Sequence, residues 1–475
     1  MRITTPRIAT PRGTTPRIST RTSLAAACAA LLLAGCSGGG GSGNEQGQAG
    51  PPAPPSVSSK PIPAGKGSHL PDDLNGDGHP ELLVPGGGPD PQTPHQLDVV
   101  FGSRHGLDPK TRTVLNATSL GLPFGRVGHT DYGKDTDLGS GVVPADLDGD
   151  GYADLSTTWG GKPGGGPASD DSTTEAYISW GTPKGPRPGR RATRIQLGDR
   201  RINFGLGLER GDFNGDGKHD LLAYADTKDG DAEQFYVLYG PFSRSGKPAR
   251  ITRHGGLRDA AADEGVVVDE IAPGRATSVV APSCNTGSED ADVLFAAGPS
   301  GLGPARELPA GDLPAWGDFD GDGRRELAVA NDPTCDYYVE EEAGADWRPP
   351  RGAATTVKVL DGTRLTRTVT IPKSAAPMAT GNLDGTGPDE LLVGHGDPKD
   401  TLEDPAGGYT TLGVTVLPGA RSPHALPHVP RDTALDTVRD FDGDGRDEVV
   451  LRKGAEVYVI DGKAPGRPPV LVGRF

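Results

Sequence analysis

Oxygen-bearing side chains recur at a fixed spacing along this 475-residue chain. DLNGDGHPE begins at Asp73, DLDGDGYAD at Asp146, DFNGDGKHD at Asp212, DFDGDGRRE at Asp318 and DFDGDGRDE at Asp440. Each fits D-x-[DN]-G-D-G-x-x-[DE]. Oxygen ligands at alternate positions around a glycine turn are how a short loop wraps Ca2+, a hard cation that takes several oxygens. The candidate ligands are Asp73, Asn75, Asp77 and Glu81; Asp146, Asp148, Asp150 and Asp154; Asp212, Asn214, Asp216 and Asp220; Asp318, Asp320, Asp322 and Glu326; and Asp440, Asp442, Asp444 and Glu448. The position-7 residues His79, Tyr152, Lys218, Arg324 and Arg446 would add a backbone carbonyl. Like charges this close repel one another without a cation. The expectation is therefore about five structural Ca2+ ions. A sixth copy, NLDGTGPDE, offers only Asn382, Asp384 and Glu390, so its claim to metal is weak. The alternative is a set of Asp/Gly turns that hold no metal.

The loops are not EF-hands. That motif needs an acid at position 12 and flanking helices. Position 12 here is Val84, Thr157, Ala223, Val329 or Leu451, and the flanks are short apolar runs such as ELLV and EVVL. The metal loops therefore belong in β-hairpins.

The gap between the third and fourth loops is nearly double the others. Within it, DEIAPGRATSVVA at Asp269 keeps Gly274 and the apolar run, but Ile271, Pro273 and Thr277 replace the ligands. With this remnant the chain has seven units. A second phrase gives the same count. Each loop is followed by an alternating strand ending in glycine: LDVVFG, AYISWG, FYVLYG, ADVLFAAG, TVKVLDG, GVTVLPG and EVYVIDG. Four short strands per unit, repeated at roughly 60 residues, imply an all-β fold, a seven-bladed β-propeller over residues 68–475.

The loop and the strand that follows it, as in VVFGSRHG, resemble the FG-GAP/VCBS repeats of integrin α-chains and of many bacterial surface proteins. The resemblance implies Ca2+ at the loop residues named above and metal loops gathered on one side of the disc. The units at Asp269 and Asn382 depart from the pattern.

The rest of the chain bounds where such a disc would work. Net charge is −16, which gives no reason to expect nucleic-acid binding. Residues 1–22 hold five Arg and no acid, followed by the apolar run 23–35. Leu33-Ala34-Gly35-Cys36 looks like a bacterial lipobox. That implies a signal peptide over 1–35, lipid on Cys36, and attachment to the outer face of the cell membrane. An ordinary signal peptide with an incidental Cys36 is the alternative. Residues 36–67, rich in Gly, Ser and Pro, read as a flexible tether. Cys284 and Cys335 stand just after the second strand of adjacent units, and export permits a disulfide between them; two free thiols are the alternative.

The loops opposite the metal hairpins vary in length, are Gly-rich and acidic, and lie near Trp159, Tyr337, Tyr338, Trp347 and Tyr409. Variable loops on a rigid scaffold often carry function. No H-E-x-x-H or C-x-x-C motif is present, and no G-x-S-x-G lies beyond residue 67. The leading expectation is a non-enzymatic surface module that binds a glycan or protein. A polysaccharide hydrolase or lyase using loop carboxylates such as Asp170, Asp171 and Glu340–Glu342, and a purely structural assembly module, are the alternatives.

Overall fold

Glycine and proline leave little room for long elements in this chain, and the strands are short. The structure is a computed structural model. It describes residues 64–86, 96–123, 141–160, 174–185, 190–198, 200–202, 207–227, 234–255, 266–282, 292–309, 311, 313–330, 355–371, 378–396, 411–417 and 422–475, all within the compact unit Pro54–Phe475. Cys36, Cys284 and Cys335 lie outside the described residues, as do Tyr337, Tyr338, Trp347, Tyr409, Asp170, Asp171 and Glu340–Glu342.

The strands form seven antiparallel blades. In blade 2 the order is Val142–Ala145, Asp154–Gly160, Thr174–Ser179 and Thr193–Arg194. In blade 7 it is Ala434–Arg439, Glu448–Lys453, Glu456–Ile460 and Val470–Arg474. The repeated glycine-ended phrase is the third strand of blades 2–7 and occupies the same place in blade 1. Blade 1 departs from the expected four: it has only Leu82–Gly86, Gln96–Val100 and Thr113–Asn116, and the innermost place is taken by the irregular segment before Asp73. A strand at Arg200–Ile202 pairs with both blade 2 and blade 3, joining them into one larger sheet.

Adjacent residues on a strand point to opposite faces, and here both faces are buried. Val99 packs between blades 1 and 2, while Val100 packs between blades 7 and 1. Leu221 faces blade 2 and Leu222 faces blade 4. Leu391 faces blade 5 and Leu392 faces blade 7. Each blade–blade joint thus has its own apolar core, and the seven cores close the ring. Trp159 belongs to one of them. It is 7% exposed in the blade 1–2 core, with Nε1 donating to the Pro123 carbonyl, so this aromatic beside the variable loops is a core residue and not one that faces a ligand.

The closing joint uses no strand exchange, since all four strands of blade 7 come from the end of the chain. It is held by packing of Leu82, Val84 and Val100 against Phe441, Val450 and Val472. Arg112 of blade 1 also donates to the Arg474 carbonyl at 3.2 Å and lies 4.5 Å above the Phe475 ring.

Along the axis, charge joins neighbouring blades and, through Asp72–Arg210 and Glu270–Arg439, blades that are not neighbours. Asp72 pairs with Arg210 of blade 3 and with Arg439 of blade 7 at 3.1 Å. Glu270 of blade 4 pairs with Arg439 at 3.3 Å and with Arg325 of blade 5 at 3.1 Å, and Arg325 reaches Asp389 of blade 6 at 3.5 Å. Burial alone would raise the Asp72 carboxyl, but Arg210 and Arg439 prevail and hold it at about 2.

Phe441 is 1% exposed at the closing joint. Phe441→Ala is expected to cost ~3–5 kcal/mol, from lost transfer and the cavity left behind. Val470→Ala, at a residue 65% exposed, should change stability by less than about 0.5 kcal/mol. Urea unfolding of the two variants measures both; equal effects would show that this joint is not a tight core.

Candidate metal centres

In blades 2, 3, 5, 6 and 7 the acidic phrase links the first strand to the second and its position-9 acid opens the second strand; in blade 1 Glu81 directly precedes the strand Leu82–Gly86. The phrase holds its shape through its own carboxylates. In blade 2, Asp146 Oδ1 accepts from the Gly149 amide and Oδ2 from the Gly151 amide, both at 2.9 Å. Asp73, Asp318 and Asp440 accept from their position-4 and position-6 glycines in the same way. The position-9 acid turns back to the position-2 amide: Asp154 to Leu147, Asp220 to Phe213, Glu326 to Phe319, Glu390 to Leu383 and Glu448 to Phe441 at 2.8–3.0 Å, with Glu81 on the Leu74 amide.

Two glycines are required in each turn. Gly149 and Gly151 have φ of +76° and +86°, the left-handed region that favours glycine. The position-4 glycine also faces the next blade. A Cβ on Gly76 would sit 2.6 Å from the Tyr152 ring, and one on Gly443 would sit 3.0 Å from His79. The position-7 residue of the following loop therefore covers the turn before it in the same way at Gly76, Gly215, Gly321, Gly385 and, across the closing joint, Gly443, but not at Gly149, which has open space beside it.

Two further positions do structural work that the motif leaves unspecified. Position 2 is always Leu or Phe and plugs a joint core: Leu74, Leu147, Phe213, Phe319, Leu383 and Phe441. Position 8 clasps the preceding loop. His219 Nδ1 accepts from the Asp146 amide, Thr277 Oγ1 from Asp212 and Asp389 Oδ2 from Asp318, each at 2.9 Å, and Asp447 Oδ2 from Asn382 at 2.6 Å. Burial pushes His219 down to about 4, so its ring is the neutral acceptor this contact needs. A constant Leu/Phe at position 2 is visible in the sequence. The varied position 8 offers no such signal.

Four loops bring three acids together, with ligand oxygens within 4.8 Å of one another: Asp73, Asp77 and Glu81; Asp146, Asp148 and Asp154; Asp318, Asp320 and Glu326; Asp440, Asp442 and Glu448. These buried acidic clusters could hold metal ions. Two oxygens fit that role directly: Glu81 Oε1 and Asp148 Oδ1 are buried and have no hydrogen-bond partner. The rest of the expected set is placed around these clusters. Asn75 supplies its Oδ1 to the Asp77 amide, and Asp150 lies beside Asp148 at the rim.

The Asp212 loop keeps the fold but does not gather its acids. Asp220 places both oxygens on amides, of Phe213 and Gly240, and Asp216 turns to Lys218 at 3.5 Å. The Asn382 loop also folds, with Asp384 accepting from the Thr386 amide and hydroxyl. Neither forms a three-acid cluster among the described residues.

In blade 4 the ladder corrects the sequence register. Val268 pairs with Val279, whereas Ala145 pairs with Asp154 in blade 2, so Glu270 rather than Asp269 stands at position 1 and Thr277 at position 8. The misplacement arises because no ligand spacing survives to fix the count. Here Arg275 pairs with Asp269 at 2.6 Å, and Arg325 pairs with it at 3.0 Å.

Basic side chains also reach the intact loops. Arg244 of blade 3 pairs with Asp148 and, at 2.5 Å, with Asp150. Lys463 lies 2.5 Å from Asp442 and 3.0 Å from Asp444, and Arg324 lies 2.9 Å from Asp322. Among the described residues, the Asp73 loop has no such partner. Burial is the leading cause of raised carboxyls in the clusters. It lifts Asp154 and Glu448 to about 8 and Glu326 to about 7, with the loop amides opposing and the neighbouring acids adding to the rise; Glu81 is raised well above its usual range.

No protein-family model and no curated protein matches this chain. Solved structures similar to it include the Dos1 propeller, at 10% identity and a TM-score of 0.42, covering 80% of this chain and 81% of that one. The periplasmic gluconolactonase PpgL of Pseudomonas aeruginosa is similar at 15% identity and a TM-score of 0.36, covering 82% and 94%. At this level no conclusion about ligand or chemistry rests on either.

A carboxyl raised on folding adds stability that is complete below its unfolded pKa, about 4. That stability is lost as pH rises through the folded value, here about 7 to 8. Without divalent cation the melting temperature is therefore expected to fall between pH 5 and pH 9. Saturating cation should flatten or reverse the fall, because a cation replaces the proton. A flat cation-free profile would contradict the burial of these acids.

Proposed function

We propose that this chain is a Ca2+-stabilised binding propeller of the FG-GAP/VCBS kind. It is exported, held at the outer face of a bacterial cell membrane by lipid on Cys36, and presents a rigid disc to a glycan or protein ligand. The observation that carries the metal part is the grouping of three acids in each of four loops, with the buried, unpartnered oxygens of Glu81 and Asp148 among them. An all-oxygen, carboxylate-rich donor set suits Ca2+. Each cluster also lies on a joint: its position-2 side chain packs into or against the joint core, and at the Asp73, Asp318 and Asp440 loops the next blade's position-7 residue lies over the turn. Ions there would tie blades together rather than meet a substrate. This makes their role structural and favours a binding module over an enzyme.

The residues that would hold the ions are Asp73, Asp77 and Glu81; Asp146, Asp148 and Asp154; Asp318, Asp320 and Glu326; and Asp440, Asp442 and Glu448. Asn75, Asp150, Asp322 and Asp444 add side-chain oxygens, and the position-7 residues add carbonyls. Asp212, Asn214, Asp216 and Asp220 form a fifth, weaker site. Asn382, Asp384 and Glu390 would hold metal least well, having two acids only. Binding to the folded state raises stability by mass action, so chelation should lower the melting temperature.

Ca2+ titration of the metal-free protein is expected to show four sites and a weaker fifth, with the Asp73 loop tightest because, among the described residues, no basic side chain pairs with its cluster acids. Asp73→Asn should remove one site and lower the melting temperature in Ca2+. An unchanged melt in excess chelator would refute the metal role. The binding role is tested by retention on immobilised cell-wall and extracellular polysaccharides. Retention of intact chains in Ca2+ is expected, and released fragments would instead establish an enzyme.

A further inference from the structure

In a chain of net charge −16, three arginines converge on one pocket of about 520 Å3. It lies at the joint of blades 2 and 3, on the side of the metal hairpins. Arg190 and Arg191, just before the fourth strand of blade 2, line it together with Trp180, Thr182, Arg244 and Asp150. Arg190 and Arg191 are exposed, and among the described residues no carboxylate pairs with either. Trp180 is fixed in place, its Nε1 donating to Thr193 Oγ1 at 2.8 Å, with the Arg244 guanidinium 4.7 Å above its ring. The size is that of an ordinary small-ligand site.

We propose that this pocket binds an acidic saccharide through Arg190, Arg191 and Arg244, and that Arg244 couples it to the cation site of the Asp146 loop. Guanidinium groups match a carboxylate or sulfate in geometry, and the local excess of positive charge selects an anion that the rest of the surface repels. The edge of the fixed indole and the hydroxyl of Thr182 suit the body of a sugar ring. Arg244 uses Nε on Asp148 and Nη2 on Asp150. A cation in the loop needs those same carboxylates. Once they are taken, Arg244 is released to the pocket it already lines. Cation and anion then strengthen each other's binding by the same factor. The coupling rests on the metal reading above; the pocket does not.

The test uses the full-length chain with methyl glucuronide, and methyl glucoside as its neutral isostere, by calorimetry. One sample is saturated with Ca2+. The other is stripped of metal, and the chelator, itself an anion, is dialysed away. Glucuronide is expected to bind in Ca2+ and more weakly without it, and glucoside to bind weakly in both. The Arg190→Ala/Arg191→Ala double variant should bind glucuronide roughly 10- to 100-fold more weakly, the range for lost charge-assisted hydrogen bonds. Its melting temperature and Ca2+ titration should not change. Arg244→Gln should weaken glucuronide binding and tighten Ca2+ at one site.

Equal affinity for glucoside, or full affinity in the double variant, would overturn the pocket. Tighter binding of a peptide's free C-terminal carboxylate would overturn the assignment to a sugar. Equal glucuronide affinity with and without Ca2+, in a protein that binds Ca2+, would overturn the coupling alone. A protein that binds no Ca2+ but still takes glucuronide would refute the metal reading and leave the pocket standing.

Discussion

Three carboxylates held within 4.8 Å of one another at a joint between blades repel each other unless something positive joins them. The ring repeats this problem and meets it in several ways. At the Asp73 loop, among the described residues, no basic side chain pairs with the three cluster acids, and Glu81 keeps a buried oxygen without a donor. At the Asp146 and Asp440 loops a basic residue from a neighbouring turn, Arg244 or Lys463, leans on the rim acids. Blade 4 has lost the ligands and uses Arg275 and Arg325 around Asp269. A proton is the remaining option, and carboxyls raised to about 7 or 8 show how near neutral pH it lies.

The axis reverses this arrangement. There, acids and arginines from blades 1, 3, 4, 5, 6 and 7 alternate, and Asp72 is held at about 2 rather than raised. Position 8 connects the two regions. Arg325 and Asp389 are position-8 residues that clasp the preceding loop on one side and enter the axial network on the other. Charge at the centre and charge at the rim are therefore linked through single side chains.

Much of this architecture is legible in the sequence because both repeated phrases are local. The loop fixes where the second strand starts, and the glycine-ended phrase fixes the third, so seven blades can be counted without knowing their contacts. Blade 4 shows where this fails. Without ligands the register rests on one glycine, and Asp269 takes the place that belongs to Glu270. Trp159 fails for a related reason: its neighbours suggest a loop, but its burial depends on blade 1. The pairs Asp72–Arg210 and Glu270–Arg439 span 138 and 169 residues. Nothing local marks them, nor the meeting of Arg190, Arg191 and Arg244 in one pocket. The missing first strand of blade 1 is equally hidden, because the Asp73 loop itself is complete.

A counterion attached to the chain differs from a dissolved one in when it arrives. Arg275 lies in the same hairpin as Asp269, so blade 4 carries its positive charge from the moment that hairpin forms. Its partner across the joint, Arg325, follows a short way along the chain. The Asp212 and Asp318 hairpins also carry a basic residue of their own, Lys218 on Asp216 and Arg324 on Asp322, whereas the three-acid clusters of the Asp73, Asp146 and Asp440 loops need an ion, a proton or a basic residue from elsewhere before their like charges can be drawn together. The blade that lost its metal ligands thus carries its counterions in the chain, and the divergence that looks like decay in the repeat replaces an outside ion with a built-in one.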